Sequence, residues 1–245
     1  MRRRPQRLPF VAVSIEAMLH EVDTGIWAAE APQRFLGAEV GTRMTVIRLA
    51  DGSLFVHSPI HLDDEIRATL DRTGPVRHVV APNRYHHLYV ADYQRNYPEA
   101  KLYAAPGLET KRRDLHFDAI LSDEAPAAWR GQIDQLVFRG FAPLNETVFF
   151  HRPSRTVLFT DLLFNVTHTD SAWTRVLLTL DGGFGGPGVA RTFRLLMRMR
   201  KRTVLASVAR ILKWDFDRMT LAHGDVVERG AKAVLQDVYS FLGWA

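Results

Sequence analysis

A chain of 245 residues, 47% apolar and 24% charged, has the makeup of an ordinary globular protein and is long enough to bury a full core. It contains no cysteine, which excludes disulfides, thiolate zinc sites, iron–sulfur clusters and cysteine nucleophiles, and leaves His, Asp, Glu and backbone oxygen as metal donors. The formal charge of +5 is concentrated in Arg2–Arg4 and Arg191–Arg202, which admits an anionic partner, nucleic acid or membrane, without requiring one.

The opening MRRRPQR runs into FVAVSIEAMLH, a pattern like a short secretory signal, but Glu16 interrupts the apolar run and no small-residue cleavage site follows. Nowhere is there a run of about 18 apolar residues, so no membrane-spanning helix is expected and the cytoplasm is the expected location. Residues 1–22 read as an N-terminal extension, and 23–245, free of repeats and flexible linkers, as one domain.

Strands are predicted at Met44–Leu49 and Leu54–Ser58, joined by the tight-turn pair Asp51-Gly52. A helix over Leu62–Thr73 follows, with Leu62, Ile66 and Leu70 spaced for one buried face. The short strand His78–Ala81 ends at Pro82 and enters the polar cluster Asn83-Arg84-Tyr85-His86-His87; a helix over Leu88–Tyr97 then leads to the strand KLYAA, broken by Pro106-Gly107. The stretch Asp114–Arg130 has no clear period.

Further strands are predicted at Gln135–Arg139, Thr147–His151 and Thr156–Thr160, with Asp161 at the end of the last. After the Gly-rich DGGFGGPG come helices over Val189–Arg202 and Val204–Lys213, a strand at Arg218–Ala222 delivering His223-Gly224-Asp225, and a helix over Gly230–Phe241. In the first of these helices Phe193, Leu195, Leu196 and Met199 are expected inside, with Arg191, Arg194, Arg198, Lys201 and Arg202 in solvent. Strand pairs with interspersed helices make an α/β sandwich the expected class, and His86, His87, Asp161 and His223 all follow strand ends, where α/β sheets collect ligand sites.

The order of elements resembles the metallo-β-lactamase superfamily, and the αββα sandwich of that superfamily is the fold this implies. The run ASVARILKWDFDRMTLAHGD is similar to its closing unit and implies that His223 is the last metal ligand; SRTVLFTDLLFN implies the bridging-aspartate role for Asp161. The first metal motif departs: where the superfamily has His-x-His-x-Asp-His, this chain reads Asn83-Arg84-Tyr85-His86-His87-Leu88, keeping two adjacent histidines. The glycine-histidine of the third motif is missing, and Glu146 of Pro143-Leu144-Asn145-Glu146 is the nearest substitute. The segments RMTVIRLADGSLFVHSPI, APNRYHH and HRPSRTVLFTDLLFN resemble one branch of the superfamily, a domain of unknown function with an altered metal motif.

On this reading His87, Asp161 and His223 hold one divalent ion, zinc, iron or manganese, with His86 and Glu146 as ligands or their supports, because neutral imidazole and carboxylate suit borderline cations. Adjacent residues point apart, so one of His86 and His87 is expected to face elsewhere. Such an ion polarises a carbonyl or phosphoryl oxygen and brings the pKa of its water to about 7. The implied activity is metal-dependent hydrolysis of a small molecule, with Asp161 and His223 catalytic. The alternatives are a metal-free binding or scaffold protein, for which the altered first motif speaks, and a nucleic-acid protein using Arg191–Arg202, a less favoured reading. A homodimer is compatible with the sequence but not required by it.

Overall fold

The computed structural model describes residues 19–243; the remainder of the expected N-terminal extension and most of its signal-like run lie outside them. Strand β1 (His20–Asp23) pairs antiparallel with β2 (Ile26–Ala31), and a small hairpin of β3 (Arg34–Phe35) and β4 (Ala38–Glu39) precedes β5 (Thr42–Arg48) and β6 (Leu54–His57). The β5–β6 pair forms the expected hairpin, with Gly52 supplying the positive φ its turn requires.

Helix α1 (Asp64–Thr73) starts where the Asp63 carboxylate accepts the Ile66 N–H and buries Ile66 and Leu70. It crosses over to β7 (Val76–Ala81), and α2 (Val90–Asn96) crosses from β7 to β8 (Lys101–Ala104); after α3 (Leu108–Lys111) comes β9 (Ala119–Ile120). Strands β6 to β9 run parallel at one side of a seven-stranded sheet ordered β1-β2-β5-β6-β7-β8-β9.

A second sheet holds β10 (Ile133–Val137), β11 (Thr147–His151), β12 (Thr156–Leu158) and β13 (Arg218–Thr220), the last two parallel. Between β12 and β13 the chain makes α4 (Ala172–Asp181), α5 (Arg191–Met199) and α6 (Lys201–Ile211), and α7 (Ala231–Val238) follows β13. Alternation along the strands sorts the core into three layers. Phe55, Val80, Tyr103, Trp129, Phe149 and Leu158 fill the space between the sheets. Ile66, Leu70 and Tyr93 seal the first sheet from outside, and Met197, Val208 and Leu235 seal the second. This is the αββα sandwich.

Two helix expectations are corrected. The predicted helix over Val189–Arg202 breaks at Arg200 into α5 and α6. In α5 it is Met197 that is buried, and Phe193 packs on Phe141 and Phe164, while Arg194 and Arg198 lie over the Phe241 ring; Leu195, Leu196 and Met199 therefore face solvent. The Gly-rich loop is tied down, pairing Phe184 and Gly188 with Val166 and Phe164.

Candidate metal centre

The carboxyl ends of β6, β7, β12 and β13 meet at one rim of the sandwich and deliver Ser58, Asn83, Asp161 and His223 there. His86 comes from the turn after β7. Among the described residues, His86, Asp161 and His223 form a group whose donor atoms could share one ion. Nε2 of His223 stands 3.2 Å from Nε2 of His86 and 3.1 Å from Oδ1 of Asp161, and Nε2 of His86 stands 3.4 Å from Oδ2 of Asp161. All three side chains are nearly buried, and Phe164 stacks on the His223 ring. The clefts at Tyr97 and at Trp214 have no lining residue in common with this cluster.

The outer ring nitrogens orient the inner ones. His223 Nδ1 lies 2.7 Å from the Gly41 carbonyl, which can only accept, so Nδ1 carries the proton and Nε2 is the nitrogen left to turn a lone pair inward. His86 Nδ1 lies 2.8 Å from Ser58 Oγ, a partner that can accept the same way. Ser58 takes up this position at φ 55°, a left-handed conformation that costs a non-glycine residue on the order of 1 kcal/mol. With Nδ1 of both rings protonated, two nitrogen lone pairs and a carboxylate converge, and they repel unless a cation or a proton sits among them. One ligand atom from each of the three residues lies within 4.8 Å of the others, and two imidazoles with a carboxylate suit a borderline divalent ion.

Burial pushes the Asp161 carboxyl upward, but His86 and His223 hold it well below the usual carboxylate range. Burial works against the His86 imidazolium, yet the Asp161 charge outweighs it and the ring is raised.

The other expected ligands are elsewhere. Glu146 is buried, and its carboxylate accepts the backbone N–H groups of Thr160, Asp161 and Leu162 and the Asn83 amide; it holds the Asp161 turn from behind and does not join the three donors. Burial and the Asp161 charge raise its pKa. His87 turns away, as one of two adjacent side chains must, and its Nδ1 accepts from Arg112 at 2.9 Å. Burial, with Lys111 and Arg112 nearby, pushes it down to about 4. Of the adjacent pair, His86 is the one that faces Asp161 and His223. His61 is exposed beside Asp92, His151 bonds Ser154, and His57 is buried against Phe149, pushed down to about 3 by burial.

Asn83 was legible as a replaced histidine, but not as the hub it is. Its Oδ1 accepts the N–H groups of Tyr85 and His86, and its Nδ2 faces Thr160 Oγ1, Glu146 and Asp161. Asn favours such local turns, which was the available signal. Nothing in the sequence marked Gly41 or Ser58 as partners of the histidines.

The sandwich with this rim defines the metallo-β-lactamase fold. Solved structures similar to the chain include a metallo-β-lactamase from Pontibacter korlensis, with a TM-score of 0.65 and 10% identity over 94% of this chain and 100% of that one. Another is the metallo-β-lactamase FIM-1 from Pseudomonas aeruginosa in its mono-zinc form, at 0.61 and 12% over 91% and 95% of the two chains. A metal-soaked Flv1 flavodiiron core from Synechocystis sp. PCC6803 is similar at 0.66 and 14%, over 93% of this chain and 61% of that one. At these identities the likeness carries the fold alone. The chain belongs to the family described as Domain of unknown function (DUF4336), which matches residues 23–179, a span holding His86 and Asp161 but not His223. No curated protein matches it.

Proposed function

We propose that the protein is a metal-dependent hydrolase of a small molecule, with one divalent ion held by His86, Asp161 and His223. The observation that carries this is the convergence of three donors within 4.8 Å of one another while the outer nitrogens of both rings are committed to Gly41 and Ser58. Zinc, iron(II) or manganese suits the donors. When bound, such an ion polarises a substrate carbonyl or phosphoryl oxygen and acidifies water.

The chain's own part is positional. Gly41 and Ser58 fix the two rings, Asn83 and Glu146 fix the Asp161 turn, and Phe164 shields one face of His223 from water. Asp161 and His223 carry the catalytic roles in this reading. A metal-free binding protein is the second reading, favoured by the Asn83 amide, which already neutralises one side of Asp161 by donating to Oδ2.

The test is elemental analysis of untagged protein. About one transition-metal ion per chain, lost in Asp161→Ala and His223→Ala, supports the hydrolase and sets up a substrate screen. Protein that stays metal-free when offered zinc, iron or manganese leaves the second reading.

A further inference from the structure

The outward ridges of two neighbouring helices are apolar. On α4, Trp173, Val176 and Leu180 are 57, 52 and 69% exposed; on α5, Leu195, Leu196 and Met199 are 64, 44 and 77% exposed. In each helix these residues lie opposite the buried side, Thr174 and Leu178 in α4 and Met197 in α5. The helices are joined where Arg191 donates to the Leu180 carbonyl and Asp181 accepts the Thr192 N–H. At the far end the Trp173 indole donates to the Leu36 carbonyl, which brings the exposed Phe35 and Leu36 of the β3–β4 hairpin to the same face. An apolar surface built from three elements is unusual for a protein that meets only water.

The charge at its α5 end is basic. From Gly182 to Trp214 the chain has no acidic residue, while Arg191, Arg194, Arg198, Arg200, Lys201 and Arg202 lie in or just after α5. None of these six forms an ion pair among the described residues. Along the helix Arg191 and Arg198 flank Leu195 at four and three residues, so cations border the apolar ridge.

A second copy docking here about a two-fold axis would set this basic cluster against itself. The chain's own N-terminus, with Arg2–Arg4, has the same sign. Nucleic acid matches the arginines but offers nothing to Leu195 and Met199. An anionic bilayer surface satisfies both: apolar side chains enter the headgroup and acyl boundary while arginines meet lipid phosphates.

We propose that α4, α5 and the β3–β4 hairpin form a face that docks peripherally on anionic lipid bilayers. The inference is independent of the metal centre. No helix among the described residues is long and apolar enough to cross a membrane.

The test is co-sedimentation of the full chain with vesicles of phosphatidylcholine alone and of phosphatidylcholine mixed with phosphatidylglycerol. The protein is expected to pellet with the mixed vesicles and stay in solution with the neutral ones. Arg198→Gln and Arg202→Gln should each lower the partition coefficient roughly five-fold. Leu195→Gln combined with Met199→Gln should abolish binding while leaving circular dichroism and the thermal midpoint close to those of the parent, since both side chains are exposed and Gln keeps a good helix propensity. Absence of binding to the anionic vesicles, equal binding to both, or anionic binding that survives the double substitution would overturn the proposal. Concentration-dependent dimerisation in light scattering, lost in the same double variant, would also overturn it and assign the face to a second copy.

Discussion

The amide nitrogen of Asn83 lies 2.7 Å from Oδ2 of Asp161, and the oxygen of the same amide accepts the N–H groups of Tyr85 and His86. One side chain thereby fixes both the carboxylate of the cluster and the turn that carries His86. Asn83 is fully buried, so Asn83→Ala leaves several groups unpaired, each at about 1–3 kcal/mol. The expected loss is on the order of 2–4 kcal/mol in a denaturant titration. A variant within about 0.5 kcal/mol of the parent, the usual range for a surface change, would show that the hub does not hold the turn.

Glu146→Gln separates support from ligation. Each Glu146 oxygen accepts backbone N–H groups, so the NH2 of a glutamine must face a donor wherever it sits. We expect a stability loss on the order of 1–3 kcal/mol with the metal stoichiometry kept. Unchanged stability with the metal lost would return Glu146 to the ligand set.

His151 makes stability depend on pH. Burial pushes it down to about 4, whereas the unfolded chain protonates it near pH 6.5. Between those values the unfolded state binds more protons than the native state, so stability is full above about pH 6.5 and is lost as pH falls toward about 4. His151→Gln should flatten this dependence by roughly 1–3 kcal/mol, read from unfolding midpoints across the window. A slope equal to that of the parent would mean that His151 is already protonated in the native state.

Much of this fold was legible because local signals agreed with tertiary need. Asp51-Gly52 announced the β5–β6 hairpin, and the Ile66 and Leu70 spacing announced α1. Asp161 and His223 were legible as polar residues at strand ends. The strand Ile26–Ala31, IWAAEA, was not, since alanines blur its alternation. Helix α4 was not foreseen, its solvent side being itself largely apolar, and α5 was read with its apolar ridge inside for the same reason. Nor could spacing decide between His86 and His87. That choice is made by the turn folded around Asn83 Oδ1, a contact between side chain and backbone that hydrophobic periodicity does not encode.

Gly224 shows how closely the His223 loop is fitted. A Cβ there would lie 2.1 Å from the Asn165 carbonyl oxygen, and its φ of 89° suits glycine. Backbone stands in the way rather than a yielding side chain, so Gly224→Ala must displace either His223 or the segment around Asn165. The expected loss is on the order of 3 kcal/mol or more, with metal binding weakened in parallel. Parent-like stability and stoichiometry in Gly224→Ala would mean that the two segments are not in contact.

The adjacent histidines give the sharpest separation of ligand from neighbour. An ion that binds the native state alone stabilises it by RT ln(1 + [L]/Kd), about 2.7 kcal/mol at a hundred-fold excess over Kd. Zinc should therefore raise the unfolding midpoint of the parent protein, and a chelator should reverse the rise. His86→Ala removes one of three donors and should abolish the zinc-dependent shift. His87→Ala removes a ring held by Arg112 on the other side of the turn and should keep it, whatever it costs in baseline stability. Because each variant is compared with itself with and without zinc, a general loss of stability cannot mimic the result. A shift kept in His86→Ala and lost in His87→Ala would mean that the turn reorganises around the ion and that the histidine facing Asp161 without metal is not the one that binds it.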